Sequence, residues 1–175
     1  MNKLILYHGT SKINGESILK DGKIKSDIKR VYGKDHLVQP TTNGYVYLTN
    51  KIEQAVRYGQ HATIMNKEES LTKTIIYIFK IKIPDSELEI DEDEINTMSI
   101  WKSSHTDKVI DVETCLKYLS TARVGRDLLL GEDVISYSGE QLNLAEMNYL
   151  KKQSVSVEEK LQRVQWIELN KTSIF

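Results

Sequence analysis

The chain has 175 residues, 39% of them hydrophobic and 28% charged, with two prolines. That suits one globular domain spanning the chain, with a real core, and excludes two independent catalytic domains. Its 24 basic and 25 acidic residues leave a formal charge of -1, so no general pull toward phosphate backbones is expected, although nucleic acid stays open as a substrate. A lone Cys115 excludes an intrachain disulfide and a multi-thiolate metal site. No stretch is apolar for long enough to span a membrane or form a signal-peptide core, so no membrane partner and a cytoplasmic location are expected.

In chain order, Leu4 to Tyr7 is a compact apolar run that predicts a buried strand, with His8-Gly9-Thr10 at its end. Ile13, Ser17, Ile18 and Leu19 then recur at helical spacing until Asp21-Gly22 stops them. From Lys23 to Asn43 no period persists, which predicts a long loop near a site. Val46 to Thr49 predicts a strand, and Asn50-Lys51-Ile52-Glu53 resembles a capping box that opens a helix through Tyr58, ended by Gly59. Thr72 to Ile83 alternates β-branched and aromatic residues as a long strand, closed by Pro84. The acidic run Asp85 to Glu94 lacks the glycine and ligand spacing of a calcium loop and is expected to be a solvated connection. Beyond it, Asp111 to Ala122 predicts a helix, Val134 to Tyr137 a strand, Leu142 to Leu150 and Glu158 to Arg163 helices, and Val164 to Leu169 a closing strand. Strands outnumber convincing βαβ units, which favours α+β.

Three side chains stand out for chemistry. His8 precedes a glycine, where a backbone can approach a ligand and an imidazole can bond a hydroxyl. Tyr47 and Tyr58, on the next strand and helix, are a pair able to sandwich a flat ring. Lys29, Arg30 and Lys34 in the long loop are candidates for pyrophosphate contacts, though loop cations are more commonly solvated. His36, His61 and His105 show no metal-ligand spacing, so no metal is expected, and Trp101 and Trp166 are expected to be core or interface anchors.

Tyr7-His8-Gly9-Thr10, Gly44-Tyr45-Val46-Tyr47-Leu48-Thr49 and the Ala55-Val56-Arg57-Tyr58 helix together resemble the ADP-ribosyltransferase superfamily. The resemblance is to the poly(ADP-ribose) polymerase and diphtheria-toxin branch, marked by a His-Tyr-Glu triad. It implies a split pair of small sheets from about Asn2 to Leu169 with NAD, a consumed substrate, in the cleft between them. His8 then matches the triad histidine that bonds the NAD ribose, and the main chain of Gly9 the glycine that grips the carboxamide. Thr10 takes the place of a small hydroxyl residue beside them, Tyr47 that of the triad tyrosine, and Tyr58 that of the second stacking tyrosine. Aligning Gly131-Glu132-Asp133-Val134-Ile135-Ser136-Tyr137 on the family's late strand puts Asp133 in the place of the glutamate. Glu132 is its neighbour in reserve, since successive strand residues face opposite ways. Aspartate there leaves single-unit transfer open and counts against polymer elongation. The implied function is mono-ADP-ribosyl transfer to a macromolecular acceptor, protein favoured. Small domains of this kind resemble bacterial toxins and phage-encoded modifiers of host proteins, anti-CRISPR enzymes among them, which would act in the host cytoplasm. NAD glycohydrolysis, NAD-dependent RNA 2'-phosphotransfer and a non-catalytic ADP-ribose-binding or partner-binding module are the alternatives.

Overall fold

In a computed structural model, which describes residues 2–28, 41–66, 74–100, 105–142 and 164–170, the fold is mixed α+β. Its centre is a six-stranded antiparallel sheet of order β5-β3-β1-β4-β7-β8, made of β1 (Lys3–Ser11), β3 (Val46–Thr49), β4 (Thr74–Pro84), β5 (Thr121–Val124), β7 (Val134–Leu142) and β8 (Ile167–Glu168). A short β2 (Lys23–Ile24) pairs with β6 (Leu128–Leu129) apart from it. The described residues also hold four α-helices, α1 (Lys12–Asp21), α2 (Ile52–Asn66), α3 (Glu92–Ile100) and α4 (Val112–Tyr118), and two single 3-10 turns, Asp85–Glu87 and Thr106–Lys108.

The long β1–β4 ladder runs from Lys3 opposite Pro84 to Ser11 opposite Ile76. Its alternation divides the apolar side chains between two faces. Leu6, Phe79, Ile81 and Ile83 join Val46, Leu48, Ala122 and Val124 in the larger core, against which Leu19 of α1 packs and of which Ile18 is a part. Ile76 and Ile78 meet Ala55 and Val56 of α2 in the smaller one. Both faces are covered along the first half of β4, where Ile75 to Phe79 is continuously apolar; beyond it Lys80 and exposed Lys82 alternate with buried Ile81 and Ile83, so one face alone is covered there.

Several expectations are corrected. His8, Gly9 and Thr10 lie inside β1, because the ladder to β4 continues through Ser11. Gly59 sits within α2 instead of ending it: a Cβ there would come 2.3 Å from Ile76 Cγ2 and 3.0 Å from the Thr10 carbonyl oxygen, so the glycine lets the helix lie on the sheet. Asn50 is one position too early to cap α2, since the Lys51 carbonyl accepts from Ala55 N at 3.1 Å while the Asn50 amide donates to the Leu116 carbonyl at 3.1 Å. The helix expected over 111–122 stops at Tyr118; Ser120, at φ 64, turns the chain into β5, which the helical spacing had hidden. Part of the long loop forms β2, and the strand at Val134 continues to Leu142, where a helix was expected to begin. The acidic run is not a plain connection, because its second half caps and opens α3. Residues 143–150 and 158–163, together with Lys29, Arg30, Lys34, His36 and Trp101, lie outside the described residues.

Candidate active site

The site begins where β1 and α2 touch. A Cβ on Gly9 would lie 1.7 Å from the Ala55 carbonyl oxygen and 2.4 Å from its carbonyl carbon, so only glycine permits this approach of strand to helix backbone. The contact seats Tyr58's helix on His8's strand. On the other side of β1, Tyr7 pairs with Thr49 of β3, and the His8 ring Nδ1 lies 3.0 Å from the Tyr47 carbonyl oxygen. A carbonyl only accepts, so Nδ1 carries the proton, and in the neutral ring Nε2 is then an acceptor. Alternation sends the His8 side chain to the face of Leu6 and that of Tyr47 to the face of α2, so what joins the two residues is imidazole to main chain.

The Tyr47 phenol ends at α3. Its hydroxyl donates to Asp93 Oδ2 and lies 3.0 Å from the Thr42 carbonyl. Asp93 also accepts from Thr42 N at 2.7 Å and Thr42 Oγ1 at 2.8 Å. Burial works against the Asp93 carboxylate, but the bonds from Tyr47 and Thr42 outweigh it and hold the group below the usual carboxylate range. The Tyr58 hydroxyl, half-buried, accepts from Gln54 Nε2 at 2.9 Å. Burial first, then the charges of Glu94 and Asp91, raise its pKa, so it remains a neutral phenol. Both tyrosines therefore face the first turn of α3.

That turn is built by Asp91, buried at 3% exposure, whose Oδ1 caps the helix by accepting from Glu94 N at 3.0 Å. Burial raises the Asp91 pKa, and burial together with the Asp91 charge pushes Glu94 up from 4.5 to about 7. Arg123, opposite Tyr47 on β5 and 6% exposed, bonds Glu92 Oε2 through Nη2 at 2.9 Å and lies 4.1 Å from the Tyr45 ring centroid. Cys115 is buried, as expected of a core thiol, and burial raises its pKa.

A pH dependence follows. Between pH 4.5 and about 7 the folded protein retains the Glu94 proton that the unfolded chain has lost, so raising the pH favours unfolding. The stability Glu94 contributes is complete below pH 4.5 and lost as the pH passes about 7. The loss is expected to be about 1–3 kcal/mol. Glu94→Gln should flatten it, leaving the variant more stable than the parent at pH 8 and matched to it at pH 5 in urea unfolding.

Asp133 lies elsewhere. Its carboxylate takes a two-pronged bond from Arg126, Nη1 to Oδ2 at 2.8 Å and Nη2 to Oδ1 at 2.9 Å, and a third from Leu129 N at 2.9 Å. Burial opposes its ionisation, but the Arg126 bonds prevail and keep its pKa low. Its own carbonyl accepts from Lys82 N at 2.8 Å, at the level of Ile5 on β1. From there to β3 is three strand spacings, roughly 14 Å across the sheet. Glu132 is exposed in the same turn. The structure thus gathers Gly9, Tyr47 and Tyr58, with His8 reaching in from the opposite face, and leaves Asp133 and Glu132 apart from them. Thr10 is buried on β1 and takes part through its main chain, beside Gly59. Asp133→Asn is expected to cost about 1–2 kcal/mol in urea unfolding, through Arg126.

Asp91, Asp93, Glu94 and Arg123 were not singled out by the sequence. An acidic residue with glutamate three positions on, before Ile95 and Met98, is a helix-start pattern and was the available signal for the first three. Arg123 carried none, since its strand lay within an apparent helix.

Compared with protein-family models, curated proteins and solved structures, the chain matches none. No helix among the described residues is long and apolar enough to cross a membrane.

Proposed function

We propose that the chain is an NAD-dependent mono-ADP-ribosyltransferase acting on a macromolecular acceptor, protein favoured, with an ADP-ribosyltransferase-like core. The observation that carries this reading is the contact of His8 Nδ1 with the Tyr47 carbonyl at 3.0 Å, which joins the two residues named by the resemblance. Gly9 and Gly59 add support by seating the helix of Tyr58 against the same strand. In this reading the nicotinamide ring lies against the tyrosine phenols and the Gly9 main chain meets its carboxamide, while His8, whose ring reaches the β1–β3 seam to bond the Tyr47 carbonyl, accepts from a ribose hydroxyl there through Nε2. Breaking the nicotinamide–ribose bond builds positive charge on the sugar. A carboxylate that stabilises this charge contributes about 2.7–4 kcal/mol. Glu94 and Asp133 are the two carboxylates to compare. Glu94 is favoured above about pH 7, where it is ionised and its charge acts on Tyr58, while Arg126 already engages Asp133.

The test is incubation of the protein with adenylate-labelled NAD and a bacterial lysate. Label on a discrete protein band is expected. Free ADP-ribose alone would replace transfer by glycohydrolysis.

A further inference from the structure

We propose that Asp93 is the positioning residue for Tyr47, fixing the angle of its ring by taking its hydroxyl bond and tying that arrangement to the chain that enters β3. The proposal rests on the NAD reading of the site and names the residue that sets Tyr47 for it. A tyrosine ring turns about two side-chain torsions, and pairing of β3 with Arg123 fixes only the Cα. An anchor at the hydroxyl fixes the first torsion by position, and because a phenol O–H lies in the plane of its ring, the donated bond also favours one rotation about the second. Asp93 supplies it from α3, an element independent of the strand that carries the ring.

The remaining capacity of the same carboxylate goes to Thr42, Oδ1 to its hydroxyl at 2.8 Å and Oδ2 to its main-chain N–H at 2.7 Å. Between Thr42 and Tyr47 the chain turns at Gly44, φ 88, a left-handed conformation that favours glycine. One carboxylate therefore closes both ends of this turn. With the carboxylate ionised it can only accept, so the Tyr47 hydroxyl has a single sense: it donates to Asp93, and its ring is held with that edge turned to the helix. Preorganisation of this kind removes ordering cost from ligand binding without adding a contact to the ligand.

A bond merely holding the turn together would leave the NAD site indifferent to it, and a double-mutant cycle separates the two cases. Parent, Asp93→Ala, Tyr47→Phe and the double variant are compared for NAD binding by calorimetry and for KM and kcat of nicotinamide release. Tyr47→Phe keeps the ring face and removes only the hydroxyl. Each single change is expected to weaken NAD binding and raise KM by about tenfold, with a smaller effect on kcat. The double variant should be no worse than Asp93→Ala, because the bond that Tyr47→Phe removes is already lost in it. An Asp93→Ala effect as large in the Tyr47→Phe background as in the parent overturns the proposal, as does an unchanged KM. If Asp93→Ala does not fold, Asp93→Leu, which fills the space without an acceptor, takes its place in the cycle. A folded parent that neither binds nor consumes NAD overturns the NAD reading instead. Positioning is then decided on the ligand-free proteins by the same cycle, read as near-ultraviolet circular dichroism and melting temperature. Coupled effects support it there, and additive ones overturn it.

Discussion

Gly9→Ala is expected to produce a chain that does not fold, or one destabilised by more than about 4 kcal/mol, the range reached only by defects at the centre of a structure. The new Cβ would lie 1.7, 2.4 and 2.9 Å from the oxygen, carbonyl carbon and Cα of Ala55, all of them main-chain atoms. No rotamer change relieves such a clash. Helix α2 would have to lift from the sheet, drawing Ala55 and Val56 away from Ile76 and Ile78, all buried at 3% exposure or less. Lifting the helix also lengthens the Gly59 approach to Thr10 and carries Tyr58 away from Glu94. Far-ultraviolet circular dichroism and a urea titration of the soluble fraction would measure this. A variant with the parent's midpoint would mean that β1 and α2 do not meet in the way described.

The second large effect is on chemistry. His8→Ala and Tyr47→Ala are each expected to lower NAD consumption by at least about 100-fold while leaving a cooperative unfolding transition. The His8 ring makes one described bond to β3, and its loss removes the imidazole proposed to hold the ribose. Tyr47→Ala removes the ring face and the Asp93 anchor together, so it should exceed Tyr47→Phe. Glu94→Gln should lower turnover comparably, and Asp133→Asn should leave it within about threefold once the protein is folded. Steady-state nicotinamide release across the four variants gives the comparison; retained turnover in Glu94→Gln with loss in Asp133→Asn would return the carboxylate role to Asp133.

What the sequence made legible follows from where its signals are local. The β-branched run of β4, the strand at Val46 and the helix before Gly22 are short-range patterns, and the structure contains all three. Gly59 misled because a glycine in a helical pattern has two causes, termination or close packing, and only the neighbouring strand separates them. Strand β5 was hidden because Ser120 adopts a left-handed turn without glycine, so the helical spacing of α4 ran on unbroken. The site divided in the same way. His8, Gly9, Tyr47 and Tyr58 sit in contiguous motifs. Asp93 and Glu94 reach the tyrosines only through tertiary packing, 46 residues along the chain from Tyr47 in the case of Asp93. Asp133 matched a local pattern, yet Arg126, seven residues earlier, engages its carboxylate.

The measurement that bears most directly on the central claim is nicotinamide release from NAD by the purified, folded protein in a bacterial lysate, with Tyr47→Ala run in parallel. Release by the parent, accompanied by label on a protein band and absent in the variant, is the predicted result. Intact NAD with the folded parent, or equal release by parent and variant, would contradict it.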